Sequence, residues 1–94
     1  MRYIDVEWIH NLEDEPIRLV SEIGDDEFEM RKLEFFRDGS VGYSSEMKSS
    51  KNTKLGICEV PSIEEIISQK EFSGCLITSE QFEKLWAEFG HGIA

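Results

Sequence analysis

The dipeptide Asp38-Gly39, set between two alternating stretches, constrains this chain more than any other feature. Glycine tolerates the positive φ that a tight hairpin turn demands, and Asp-Gly is a strong short-range signal for one. Before it, Leu33 and Phe35 alternate with Lys32, Glu34 and Phe36; after it, Val41 and Tyr43 alternate with Ser40 and Gly42. The stretch therefore predicts two antiparallel strands that share one apolar side. That side has to be covered by something else.

Two further strands are expected upstream. Tyr3 to His10 places Ile4, Val6 and Trp8 on one side and Asp5 and Glu7 on the other, the period-two pattern of a half-buried strand. Asn11 to Pro16 is a loop, since Pro16 pushes Glu15 into an extended conformation. Ile17 to Ile23 makes the second strand, and Gly24-Asp25-Asp26-Glu27 turns the chain into the hairpin. Four strands in succession on short loops favour an antiparallel meander. Ser44 to Lys54 lacks any periodicity and is expected as a loop, with Leu55-Gly56-Ile57 an irregular return or a short strand.

Two helices follow. Ser62 and Glu65 have the spacing of a capping box ahead of Ile63, Ile66 and Ile67. Thr78 and Gln81 form a second box, with Ile77 and Phe82 placed as a hydrophobic staple. Phe82, Leu85, Trp86 and Phe89 then recur at i, i+3, i+4 and i+7, a single apolar stripe. The expected architecture is α+β: an antiparallel sheet of about four strands with both C-terminal helices on one face, over a floor of Ile4, Val6, Trp8, Leu33 and Phe35. The opposite face would then carry Tyr3, Asp5, Glu7, Lys32, Glu34 and Phe36, a recognition surface with Tyr3 and Phe36 as anchors.

With 94 residues there is room for one domain, residues 1–94, and one modest core. The formal net charge of −10 disfavours nucleic acid and anionic lipid as direct partners. Ten acids and two bases fall within residues 1–30, concentrated at Glu13-Asp14-Glu15 and Asp25-Asp26-Glu27. No window is long and apolar enough for a membrane helix, and the start of the chain lacks the pattern of an export signal, so the expected location is the cytoplasm. Cys58 and Cys75, beside Ile57 and Leu76, are expected as reduced core residues, although one disulfide is available to them.

Catalytic and metal patterns are sparse. His10, His91, Cys58 and Cys75 include no closely spaced pair of zinc-ligand type, and no cofactor is expected. There is no nucleophile elbow, no phosphate-cradling glycine loop and no calcium-loop spacing. An enzyme is not expected, and the enzymatic reading would use His10 as a base beside Glu34.

The chain resembles a family of short bacterial proteins that share a domain of unknown function. The resemblance rests on Trp8-Ile9-His10, Asp14-Glu15-Pro16, the run Arg31 to Gly39, Gly42-Tyr43, Pro61 with Glu64-Glu65-Ile66, Glu71-Phe72 and Phe82 to Trp86. It covers nearly the whole chain and is weakest over residues 44–52. It implies that His10, Glu15, Arg31, Glu34 and Tyr43 belong to a shared framework, structural or binding, and it brings no activity with it.

The functional expectation is a small acidic binding protein, in its most concrete form an immunity or antitoxin-like inhibitor that docks on a basic toxin or nuclease. Candidate contacts are Glu7, Asp14, Glu15, Asp25, Asp26, Glu27 and Glu34, with His10, Arg31 and Tyr43 as framework or site residues. The alternative is a housekeeping interaction module or a homodimeric domain without catalytic activity. A monomer and a homodimer both remain open.

Overall fold

In a computed structural model of the protein, which describes residues 1–51 and 53–90, the strands run β1 (Arg2–Trp8), β2 (Arg18–Ile23), β3 (Glu29–Phe35), β4 (Val41–Ser45) and β5 (Phe72–Ile77). The helices are α1 (Ile63–Ile67) and α2 (Ser79–Phe89). The sheet order is β4-β3-β2-β1-β5 and every neighbouring pair is antiparallel. The expected four-strand meander is present. The fifth strand, β5, escapes a pattern reading because Ser73 and Gly74 interrupt its apolar run.

The hairpin closes through Phe36 N–H to Ser40 O (2.9 Å) and Gly39 N–H to Phe36 O (3.0 Å). Of its residues only Gly39 has positive φ, at 91°. It is thus a three-residue loop with glycine in the left-handed position, not a two-residue primed turn. Asp38 Oδ1 accepts from the Ser40 hydroxyl (2.6 Å) and from Ser40 N–H (2.9 Å), which fixes the turn and holds the Asp38 carboxyl below its ordinary range.

Register decides where the helices go. Val20 stands opposite Asp5 on one side and Leu33 on the other, while Ile4 and Val6 stand opposite Ser21 and Leu19. Opposed residues share a face, so Leu33 and Phe35 lie on one face and Ile4 and Val6 on the other. The floor expected from the sequence is therefore two floors, and the helices occupy opposite faces of the sheet. Phe82 of α2 is fully buried against Val20 and Leu33, with Tyr3, Phe35, Val41, Tyr43, Ile77, Leu85, Trp86 and Phe89 around it. Ile63 of α1 packs with Ile4, Val6 and Ile23, with Val60, Ile66 and Phe72 alongside. Alternation assigns each strand two faces; the pairing across the loop between β1 and β2 decides which faces coincide, and an offset of one residue exchanges them.

The helix starts read from the sequence hold. Thr78 caps α2 by accepting from Gln81 N–H (3.1 Å), and Gln81 Oε1 returns the bond from Thr78 N–H (2.8 Å). Ser62 caps α1 by accepting from Glu65 N–H at 3.2 Å. Both cysteines are free and exposed, which corrects their expected place in the core. Among the described residues, no helix is long and apolar enough to cross a membrane.

Candidate functional site

Two arginines fasten the α2 face. Arg31 forms a bidentate pair with Glu22 (2.7 and 2.8 Å) and bonds Glu83 of α2 through Nη1 (3.0 Å). Its guanidinium also lies 4.8 Å from the centre of the Phe82 ring and 5.2 Å from that of Trp86. These bonds raise the Arg31 pKa and lower that of Glu83. Tyr43 meets Trp86 edge-on at 6.4 Å. Arg18 pairs with Asp5 (2.9 and 2.7 Å) and covers the Phe35 ring at 4.6 Å. Arg31 and Tyr43 thus hold α2 on the sheet. Tyr3, expected as an exposed anchor, packs beneath α2 with its ring centre 5.3 Å from that of Phe82, tilted by 39°.

The other face is polar beyond the reach of α1. Lys32, opposite Ser21 and Ser44, is buried there between two carboxylates: Glu29 Oε1 at 3.2 Å and Glu34 Oε2 at 3.8 Å. Glu29 Oε1 also accepts from Gly56 N–H (2.6 Å), and Thr53 Oγ1 donates to Glu34 Oε1 (3.0 Å). Thr53, from the stretch expected as a loop, and Gly56, from the expected irregular return or short strand, therefore lie down on the β3–β4 face. Gly42 makes room for it, since a Cβ at that position would fall 2.0 Å from Thr53 Oγ1. Lys32 and Glu34, expected on an exposed recognition surface, are instead part of this covered network.

Glu34 continues from the network into an open groove of about 820 Å³ at the end of the sheet. One wall is the loop after β1, with Glu13, Asp14, Glu15 and Pro16; the other is the hairpin, with Phe36, Arg37, Asp38 and Ser40. Among the described residues, five carboxylates and one guanidinium line it. Burial pushes the Glu34 carboxyl up, Lys32 and the Thr53 hydroxyl oppose this, and Glu29 and Glu15 add to it.

His10 builds the wall. Its Nδ1 accepts from Leu12 N–H (2.9 Å), which leaves Nε2 as the protonated nitrogen that donates to Pro16 O (2.8 Å). The ring also packs 4.3 Å from Trp8. Arg37 Nη2 donates to His10 O at 2.8 Å and ties the hairpin to the loop. Both imidazole nitrogens are thus engaged in shaping the groove.

The candidate contacts named from the sequence do not form one surface. Asp14, Glu15 and Glu34 converge in the groove, joined by Glu13 and Asp38. Asp25, Asp26 and Glu27 sit in the turn between β2 and β3, at the opposite end of the sheet. There Asp25 pairs with the amino group of Met1 (2.5 Å), Glu27 with Arg2 (2.8 Å), and Asp26 Oδ1 accepts from Phe28 N–H (3.1 Å). Glu7, exposed on β1, stands opposite Arg18 and Ser73. Asp38 is not among the contacts named from the sequence; its proximity to Glu13–Glu15 exists only once β2 has brought the hairpin beside the loop.

Among the described residues, no group of histidine, cysteine and acidic side chains has the arrangement to hold a metal ion. His91 lies outside the described residues. No curated protein and no solved structure matches the chain. A family model, described as a domain of unknown function (DUF6881), matches residues 2–91. With that match spanning every strand, both helices and all the groove residues, the chain belongs to the DUF6881 family.

Proposed function

We propose that the protein is a binding module that docks a basic protein partner in the acidic groove. The observation that carries the reading is the lining itself: among the described residues, Glu13, Asp14, Glu15, Glu34 and Asp38 share an open concavity with one lining cation, Arg37. Arg37 is already turned toward His10 O, so the field at the mouth is negative. Phe36 supplies an apolar patch inside that field. A chain of net charge −10 attracts a cationic partner over long range, which speeds encounter more than it deepens affinity.

The concrete form of the reading is an immunity-like inhibitor that covers a basic toxin of nuclease type. Its place of action in this reading is the cytoplasm, which suits two exposed free thiols. The test is association with a panel of purified basic nuclease toxins, followed by biosensor kinetics at rising ionic strength. The reading expects capture whose on-rate falls steeply with salt. Absence of binding across the panel, or an on-rate indifferent to salt, would overturn it.

A further inference from the structure

The two edges of the sheet are treated differently by the chain. On β4, the bond from Phe36 N–H to Ser40 O sets the alternation, so Tyr43 and Ser45 turn their backbone groups outward. Three of those four groups are met: Ser50 N–H donates to Tyr43 O (2.8 Å), Tyr43 N–H donates to Ser50 Oγ (2.9 Å), and Ser45 N–H donates to Lys48 O (2.8 Å). Residues 48–50 therefore cover that edge at Tyr43 and Ser45.

On β5 the bond from Ile9 N–H to Glu71 O (2.7 Å) sets the alternation. Ser73, Cys75 and Ile77 bond inward to β1, and Phe72, Gly74 and Leu76 turn outward. Phe72 N–H donates to Gln69 O (3.1 Å). Among the described residues, no hydrogen bond reaches the outward N–H or C=O of Gly74 or Leu76. Nor does the sequence guard this edge, because Phe72 to Ile77 contains no charge and no proline in a chain that is 32% charged. Cys75 is exposed, and Leu76 is 57% exposed.

We propose that this edge binds a second copy of the chain, β5 against β5 in antiparallel register about a two-fold axis at Cys75. Self-complementarity selects the occupant: Gly74 and Leu76, whose outward groups are unbonded, satisfy each other when the strand meets its own copy about a two-fold axis, and the uncharged strip sets no like charges directly opposite one another. Backbone pairing selects the register. With Gly74 opposite Leu76 of the other copy, and the reverse, all four outward groups of the two residues are paired. With Gly74 opposite Gly74, Leu76 O would face Phe72 N–H of the other copy, which Gln69 already occupies. The preferred register joins the two sheets into one of ten strands and sets the two Cys75 side chains face to face at a non-hydrogen-bonded pair. There the Cα atoms come within about 4.5–5.5 Å, within reach of a disulfide.

The test is the mass of the full chain by sedimentation equilibrium across micromolar concentrations, for wild type, Cys75→Lys and Cys75→Glu. The proposal expects a wild-type dimer that tightens as salt screens the net charge, the reverse of the salt effect expected for docking in the groove. Each variant alone should raise the dimer dissociation constant several-fold while its circular dichroism stays native. An equimolar mixture of the two should restore the dimer, since a lysine then meets a glutamate. Diamide, which takes up the two thiol hydrogens as it joins the sulfurs, should link Cys58→Ser, whose one thiol is at Cys75, into a covalent dimer, and link Cys75→Ser, which keeps the exposed Cys58, far less. A monomer throughout, or a dimer unmoved by both charge variants, would overturn the proposal.

Discussion

At the scale of single residues, the network around Lys32 carries the sharpest consequences. Its ammonium is nearly enclosed between Glu29 and Glu34, so removing the cation leaves two carboxylates in a covered site. Lys32→Met should cost about 3–5 kcal/mol in urea unfolding. Adding Glu29→Gln and Glu34→Gln to that variant should recover much of the loss, because the uncompensated charge disappears with them. Glu34 alone makes a different prediction. Its carboxyl is raised chiefly by burial, so the folded chain holds that proton to higher pH than the unfolded chain does. Stability therefore falls as pH rises from the ordinary glutamate range through the raised value. Glu34→Gln keeps an acceptor for Thr53 and removes this loss. Thermal melting should show the variant gaining on wild type at neutral pH, with the gain vanishing in acid, where both forms are neutral. A difference that is constant with pH would contradict the assignment.

At the scale of elements, the contact between β4 and the segment laid over it is tested at Gly42. Because a Cβ there would collide with Thr53 Oγ1, Gly42→Ala should destabilise by about 1–3 kcal/mol. In a Thr53→Ala background the closest contact is relieved, and the cost of the same substitution should shrink. Equal costs in the two backgrounds would mean that the segment does not rest on Gly42. The sequence itself made some of these elements legible and concealed others, for a physical reason. Alternation, the Asp38-Gly39 turn and the Thr78/Gln81 cap are local signals, and each appears where the residues place it. Face assignment is not local: it depends on Val6 meeting Leu19 across a loop whose length does not fix register. Lys32 and Glu34 read as solvent-facing because charged residues usually are. Their burial requires a cover, Thr53 to Gly56, that carries no periodic signal of its own. The groove was half legible: Asp14, Glu15 and Glu34 were in view, but their union with Asp38 is a product of the strand order.

At the scale of the whole molecule, charge is divided by location. Of the turn acids at one end, Asp25 and Glu27 are engaged with the amino terminus and Arg2. The acids Asp5, Glu22 and Glu83 are matched by Arg18 and Arg31 on the α2 face. Among the described residues lining the groove the one cation is Arg37, with Lys32 paired to Glu34 behind it, and it is there that we propose a basic partner docks. The account stands on that location and not on net charge. The most direct measurement compares two variants of equal charge change, binding the basic toxin captured by wild type at low salt. In one, Glu13, Asp14 and Glu15 become lysine; in the other, the exposed Glu46, Glu59 and Glu88 do. The account predicts that the groove variant loses binding by tenfold or more, about 1.4 kcal/mol, while the control stays within a few-fold of wild type. Equal losses in the two variants would show that the chain attracts cations as a whole and that the groove is not where they dock.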